Sequence, residues 1–206
     1  MSDISRKELQ IVKRKIILDL AVTLDGFIEG KNGEVDWCIM DPEMGFADFL
    51  NQIDTIMYGR KSYDLWGRFT PDMDPSDAEQ ELWSNVHSKE KYVFSRTQTG
   101  SDHKATYIND HILEEVNALK NKPGKDIWLY GGASLITTFI QLGLVDEFRL
   151  SVHPVILGEG KPLFMDIKQR LNLKMVNTKT FSSGVVQLIY HLDRNAVNDV
   201  NLEKTP

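Results

Sequence analysis

The chain has 206 residues, of which 41% are hydrophobic and 26% charged, as is ordinary for a globular protein. Its formal net charge of −6, without a long lysine or arginine run, argues against nucleic acid as a partner. Cys38 is the single cysteine, which excludes an intramolecular disulfide and a CxxC metal motif, and no metal site is expected.

The first 14 residues carry charges throughout and lack the apolar segment of a signal peptide. No apolar run approaches the roughly 20 residues that a membrane helix needs. We therefore expect no membrane association and a cytoplasmic location, which the lone cysteine also suits.

The first half of the chain predicts two strands and a helix. Residues 15–22 form, after the lysine at position 15, a nearly continuous apolar run with one charge, which is typical of a buried central strand. Phe46, Phe49 and Ile53 fall at helical spacing and predict an amphipathic helix over residues 46–53. Residues 55–59 predict a second strand.

The second half predicts a regular succession of further elements. Ser76 lies three residues before Glu79, the spacing of a capping box, and a helix is expected to begin there. Two more helices are predicted, one that carries Ile112 and one that begins after Gly132. The further strands are predicted at residues 91–95, 105–108, 126–130 and 148–152, with a closing hairpin at 171–181 and 185–192.

Strands that alternate with helices predict an α/β fold with a parallel sheet and helices on both faces. The terminal hairpin adds an antiparallel C-terminal edge, so the sheet should be mixed and mostly parallel. We expect one three-layer αβα domain over residues 1–206, with its core at about residues 15–192 and a polar tail at 195–206.

The sharpest local motif is Gly131-Gly132-Ala133-Ser134, between a predicted strand and a predicted helix. A helix N-terminus exposes unpaired N–H groups, and glycines there let a phosphate approach the backbone. The alternative is a tight turn that only requires glycine. The motif is not the usual dinucleotide fingerprint, because GxGxxG is absent.

Two other segments that suit phosphate also follow strands. They are Gly59-Arg60-Lys61-Ser62 and Ser95-Arg96. Either could instead be a solvated basic turn. However, open α/β sheets bind ligands beyond the carboxyl ends of their strands, so the coincidence of three such segments favours a phosphorylated ligand.

Several segments occur in a recognisable order along residues 15–192. They are residues 22–28, 35–37, 57–63, 92–96, 129–135, 144–148 and 154–160. This ordered set resembles the dihydrofolate reductase superfamily, and most closely the C-terminal reductase domain of bacterial riboflavin biosynthesis proteins. The resemblance implies a dihydrofolate-reductase-like fold and NADPH as the cofactor.

The resemblance also implies where the cofactor binds. It places Gly59, Arg60 and Lys61 at the cofactor phosphates, and Ser95 and Arg96 near the adenosine 2′-phosphate. The pyrophosphate would be held by the turn and the first helical residues, namely Gly131, Gly132, Ala133, Ser134 and Leu135.

For the substrate side, the resemblance places Trp37 near the nicotinamide and Tyr130 toward the substrate. Asp25 would lie where the first strand opens into the site, either as the proton donor or as a turn carboxylate. Glu43 and Asp48 both lie near the position of the substrate carboxylate of dihydrofolate reductases, and neither matches it cleanly.

These residues predict an NADPH-dependent reductase of a small heterocycle or a sugar-linked pteridine or pyrimidine, like 5-amino-6-(5-phosphoribosylamino)uracil reductase. The alternatives are a dihydrofolate reductase and a non-catalytic nucleotide-binding protein on the same fold. The resemblance further implies a homodimer, with the strand at 148–152 and the run at 155–157 as candidate contacts, unless helices of the same chain cover them.

Overall fold

A nine-stranded sheet forms the centre of the computed structural model, which describes residues 13–67, 76–102 and 104–194. The strands are β1 Ile16–Thr23, β2 Phe27–Glu29, β3 Ile53–Gly59, β4 Glu90–Phe94, β5 Gly100–Ser101, β6 Thr106–Ile108, β7 Asp126–Gly131, β8 Glu147–His153, β9 Lys161–Pro162, β10 Leu173–Thr180 and β11 Val186–Leu192. The helices are α1 Phe46–Gln52, α2 Arg60–Ser62, α3 Asp77–Ser88, α4 Ile112–Lys120 and α5 Ala133–Gln141.

The strand order of the large sheet is β10-β11-β8-β1-β7-β3-β4-β6-β5. The six strands from β8 to β6 run parallel to their neighbours, while β11 is antiparallel to β8 and β10 is antiparallel to β11. The predicted mixed, mostly parallel sheet with an antiparallel C-terminal edge is therefore confirmed. At the opposite edge, the two-residue strand β5 adds a second antiparallel pair.

Helices cover both faces of the sheet and give the predicted three layers. On one face, which we call the aliphatic face, α4 and α5 bury Val116, Leu119, Ile136 and Phe139. On the other, the aromatic face, α1 and α3 cover a cluster rich in rings. This cluster includes Phe46, Phe49, Tyr58, Tyr63, Trp83, Trp128 and Tyr130.

Capping residues and apolar spacing in the sequence predicted the long helices and strands correctly. Ser76 caps α3 in a capping box with Glu79, as predicted. The predicted helix over 46–53 ends one residue early, because Ile53 begins β3. The N-terminal residues 1–12 and the predicted tail at 195–206 lie outside the described residues.

A small second sheet of β2 and β9 was missed by the sequence analysis. Its strands pair antiparallel, and Lys161 forms an ion pair with Glu29 across them. Nearby, Leu24 N–H donates to the carbonyl of Val155 at 2.9 Å. These contacts fasten the segment after β1 to the segment after β8.

Pairing between β1 and β7 is confined to the amino half of β1. β1 pairs with β8 along seven residues, from Ile17 to Thr23, but with β7 only at Ile16 and Ile17. We call the unpaired stretch, residues 18–23 of β1 facing 129–131 of β7, the β1–β7 opening. It lies at the carboxyl end of two central strands.

No helix within the described ranges is long and apolar enough to cross a membrane.

Phe139 packs α5 against the sheet. Its fully buried ring contacts Phe94 of β4 edge-on, with 5.2 Å between the ring centroids. We expect Phe139→Ala to lower the free energy of unfolding by about 3–5 kcal/mol, through lost transfer energy and the cavity left behind. Phe164→Ala is the control, since that ring is 51% exposed, and it should change stability by about 0.5 kcal/mol. Urea titration measures both; equal costs would contradict this assignment of the core.

Candidate active site at the carboxyl edge of the sheet

The three predicted phosphate segments lie side by side in the structure. Gly59, which ends β3, is in register with Phe94, which ends β4, and Tyr58 is in register with Gly131 of β7. Because these strands are parallel, the residues that follow them emerge at one edge of the sheet. The convergence expected from the sequence is present.

The turn after β7 lies against the turn after β3. A Cβ at Gly59 would make an ordinary contact, 3.5 Å from the Gly132 nitrogen, whereas a Cβ at Gly132 would lie 3.0 Å from Ser62 Oγ and would displace it slightly. Gly131 has φ +107°, a conformation that other residues rarely adopt, and the peptide bond to Gly132 is cis. The result is a patch of backbone free of side chains.

This patch adjoins the N-terminus of α5. Gly132 is the N-cap residue and no side chain caps the helix, so the first N–H groups of Ala133 and Ser134 face the patch without a capping oxygen. The helix dipole adds partial positive charge here. Leu135 differs from the others, because its N–H donates to the Gly132 carbonyl at 2.9 Å and its side chain is buried.

Three exposed cations, Arg60, Lys61 and Arg96, follow the neighbouring strands β3 and β4. Arg60 pairs with Asp64 at 2.7 Å, whereas Lys61 and Arg96 form no ion pair with any described residue. Ser95 is buried, and its hydroxyl accepts hydrogen bonds from the N–H groups of the turn that follows it, at 3.1 and 3.3 Å. Ser95 therefore shapes the turn that carries Arg96.

A bare backbone, an uncapped helix N-terminus and exposed cations together fit a diphosphate group. A cavity of about 480 Å³ is lined by residues 97–99, Ser101, Asp102 and Tyr107, which follow Arg96 in the chain. A larger cavity of about 710 Å³ shares Asp102 with it and extends to Glu90 at the amino end of β4.

Tyr130 lies beside the β1–β7 opening on the aromatic face. Its ring is 5.0 Å from the ring of Tyr58 and 5.1 Å from that of Trp128. Burial raises the pKa of Tyr130 above its ordinary value, so the phenol is protonated at neutral pH and can donate one hydrogen bond.

Trp37 lies on the loop that crosses the end of β8. Its ring contacts His153 edge-on, with 5.3 Å between centroids, and its indole N–H donates to the Glu34 carbonyl at 3.3 Å. His153 is fully buried, with its two ring nitrogens 2.9 Å from the carbonyl of Ser151 and 3.4 Å from that of Ile39. These contacts hold the loop over the strand.

Asp25 is exposed and is held by hydrogen bonds on both oxygens. Thr23 Oγ1 donates to Oδ1 at 2.6 Å, and the N–H groups of Leu157 and Gly158 donate at 3.3 and 2.8 Å. The Thr23 hydroxyl and these N–H groups lower the pKa of Asp25. These contacts are those of a turn carboxylate, one of the two roles considered for Asp25. Proton donation by Asp25 stays a prediction.

The two carboxylates proposed for the dihydrofolate alternative are both exposed. Glu43 accepts a hydrogen bond from Ser182 at 3.2 Å, and Asp48 lies in the first turn of α1. The carboxylate that the sequence analysis did not consider is Asp19, on β1 at the opening. Its only signal was that it is the single charge after Lys15 in an otherwise apolar run.

Solved structures confirm the fold. The deaminase and 5-amino-6-(5-phosphoribosylamino)uracil reductase of Thermotoga maritima matches with a TM-score of 0.63 at 15% identity, over 88% of this chain and 57% of that one. Dihydrofolate reductase from Enterococcus faecalis, solved with NADP(H), matches with a TM-score of 0.60 at 16% identity, over 87% of this chain and 96% of that one. The architecture is therefore dihydrofolate-reductase-like.

Sequence relatives define the family. The chain is 78% identical over 179 residues to the uncharacterized protein YyaP of Bacillus subtilis, over 87% of this chain and 95% of that protein. Residues 14–187 match the family described as the RibD C-terminal domain. The resemblance drawn from the ordered motifs is confirmed, and the chain belongs to the RibD C-terminal domain family.

Proposed function

We propose that the protein is an NADPH-dependent reductase of a small heterocycle of the pteridine or pyrimidine type. The observation that carries this proposal is the side-chain-free patch at Gly59, Gly131 and Gly132, which adjoins the N-terminus of α5 and the β1–β7 opening. Family membership supports a reductase of the riboflavin-pathway kind.

Each group around the patch has a distinct task in this proposal. Backbone N–H groups at Gly132 to Ser134 bind the pyrophosphate, and Arg60 and Lys61 neutralise its charge. Arg96, presented by the Ser95 turn, binds the 2′-phosphate. Nicotinamide, when bound, supplies the hydride, while the protein orients the ring toward the opening and excludes water from it.

The substrate enters from the aromatic face. Tyr130 provides a hydrogen-bond donor at the opening, and Trp37 closes the outer side through its loop. A planar heterocycle suits walls made of rings. Proton delivery is assigned to Asp25 or to bound water, as the sequence resemblance implied.

The reaction is tested by following NADPH oxidation at 340 nm with two substrates, the ribosylaminouracil phosphate intermediate of riboflavin synthesis and dihydrofolate. We expect weak turnover of the former and slow or no turnover of dihydrofolate, because Glu43 and Asp48 are exposed rather than buried against a pterin. Dihydrofolate reduction with kcat/KM above roughly 10⁴ M⁻¹s⁻¹ would make the protein a dihydrofolate reductase. Tight NADPH binding without turnover on any heterocycle would identify a non-catalytic binding protein.

Arg96 should determine the choice between NADPH and NADH. Hydrogen bonds to charged groups are worth about 1.5–3 kcal/mol each, so Arg96→Ala should weaken NADPH binding by about 10- to 100-fold and leave NADH binding nearly unchanged. Arg170→Ala is the matched control, because Arg170 is exposed and lies before β10. Fluorescence titration gives both dissociation constants; equal losses for the two nucleotides would contradict the assignment.

The glycine patch makes a prediction about charge. Gly132→Asp places a carboxylate against the bound pyrophosphate, while Gly132→Asn adds the same bulk without charge, and each must displace Ser62 Oγ slightly. We expect both variants to fold, and Gly132→Asp to bind NADPH at least tenfold more weakly than Gly132→Asn. Unchanged NADPH affinity in folded Gly132→Asp would reduce the motif to a tight turn.

We also propose a homodimer, as the resemblance implied. Phe148 is buried in the core of its own chain, so it cannot contribute to the dimer contact predicted at residues 148–152. On the same sheet face the apolar surface continues to β10, where Met175 is 53% exposed. Light scattering at micromolar concentration should give twice the mass of one chain, and a monomer mass would refute the dimer. Met175→Lys should shift the wild-type dimer toward monomer.

A further inference from the structure

Asp19 is a carboxylate in the middle of the central strand β1. Side chains alternate along a strand, and Ile17 belongs to the cluster on the aromatic face, so Asp19 points to that same face. It is partly exposed, although Ile16, Ile17 and Leu18 before it are fully buried. A charge at such a position needs either a partner or a task.

The β1–β7 opening begins directly beside Asp19. The register between the strands ends with Ile17 opposite Trp128, and the indole N–H of Trp128 donates to the Asp19 carbonyl at 2.9 Å. Tyr130 lies two residues beyond Trp128 and on the same face. Asp19 and Tyr130 therefore border the opening from its two sides.

No side-chain or backbone donor among the described residues forms a hydrogen bond to the Asp19 carboxylate. Its register neighbour on β8, Arg149, is engaged elsewhere: it pairs with Glu147, donates to Gln52 at 3.0 Å and lies over the Phe49 ring at 5.3 Å. Both oxygens of Asp19 are therefore free of hydrogen bonds to the described residues.

The environment of Asp19 is unfavourable to its charge. Burial raises the pKa of Asp19 to about 7, against the lowering effect of Arg149 and with a further rise from Glu147. Other ionisable groups lie on the elements around it, namely Lys179 on β10, His191 on β11, Tyr130 on β7, Asp48 on α1, Glu29 on β2 and Cys38 on the loop before α1. An acid with a raised pKa makes the fold less stable as pH rises from about 4 to 7, so the residue costs stability.

We propose that Asp19 is the substrate-binding carboxylate of this site and that it accepts hydrogen bonds from two adjacent N–H groups of a planar heterocycle. The proposal rests on the proposed reductase function and narrows its substrate to rings with that pair of donors. Two carboxylate oxygens match two parallel N–H donors, and the rings of Tyr130 and Trp128 suit a flat ligand. Asp19 lies on β1, whereas Glu43 and Asp48 lie before and in α1, so it holds the ring at a different place from the dihydrofolate carboxylate, and slow or no turnover of dihydrofolate stays the expectation.

The test uses isocytosine as the probe, because it presents a ring N–H beside an amino group, and uracil as the control ligand, because its N–H groups lack that neighbour. Ligand-observed NMR titration should show that Asp19→Asn weakens isocytosine binding at least tenfold, since an amide replaces one acceptor with a donor. Glu43→Gln and Asp48→Asn should bind isocytosine as the wild type does. Uracil should bind weakly to all four proteins.

The pH dependence separates binding from a structural role. Isocytosine binds the ionised carboxylate, so its affinity for the wild type should rise between pH 6 and pH 8 and stay flat in Asp19→Asn. Thermal unfolding provides a second readout: Asp19→Asn should have a higher Tm than the wild type at pH 8, because it removes a poorly solvated charge.

Titration with NADPH keeps the two proposals apart. Asp19→Asn should bind NADPH with unchanged affinity, because the phosphate groups are held at other residues. A wild-type protein that does not bind NADPH would contradict the proposed reductase function and would leave the assignment of Asp19 standing. Isocytosine affinity unchanged in Asp19→Asn, or lost instead in Asp48→Asn, would overturn the assignment of Asp19.

Discussion

The candidate site depends on the separation of two neighbouring parallel strands. β1 stays paired with β8 to its end but leaves β7 after Ile17, and this creates the β1–β7 opening in an otherwise continuous sheet. Backbone groups freed in this way must find other partners, and the indole of Trp128 supplies one for Asp19. The opening also joins two unlike surfaces. The glycine backbone of β7 and α5 lies on one side, and side chains of β1 and the aromatic face lie on the other.

The sequence predicted the large elements because their signals are local and strong. The apolar run of β1, the capping box of α3 and the glycines before α5 all mark elements whose boundaries are close to those observed. The two-residue strands β5 and β9 carry no such signal. β9 pairs with β2 through a contact between Lys161 and Glu29, residues far apart in the chain, and no periodicity can reveal it.

The site was predictable to a similar degree, and for a related reason. The phosphate segments follow strands, and parallel strands bring their carboxyl ends together, so adjacency in space follows from position in sequence. The roles of the carboxylates do not follow in that way. Asp25 binds N–H groups of Leu157 and Gly158, more than 130 residues later, and Asp19 lies at the opening because β7 diverges from β1. Both facts depend on tertiary structure alone.

The candidate site is built from main-chain atoms on the glycine side and from side chains on the aromatic face, and this difference has an evolutionary consequence. The surface proposed for the pyrophosphate consists largely of main-chain atoms at Gly131 and Gly132, so substitutions elsewhere change its shape little. The half facing the ring consists of individual side chains on rigid strands, where one codon change at Asp19 or Tyr130 replaces a functional group without moving the backbone. Under the proposed function, a gene encoding this fold can therefore diverge toward new substrates after duplication while it keeps the same nucleotide.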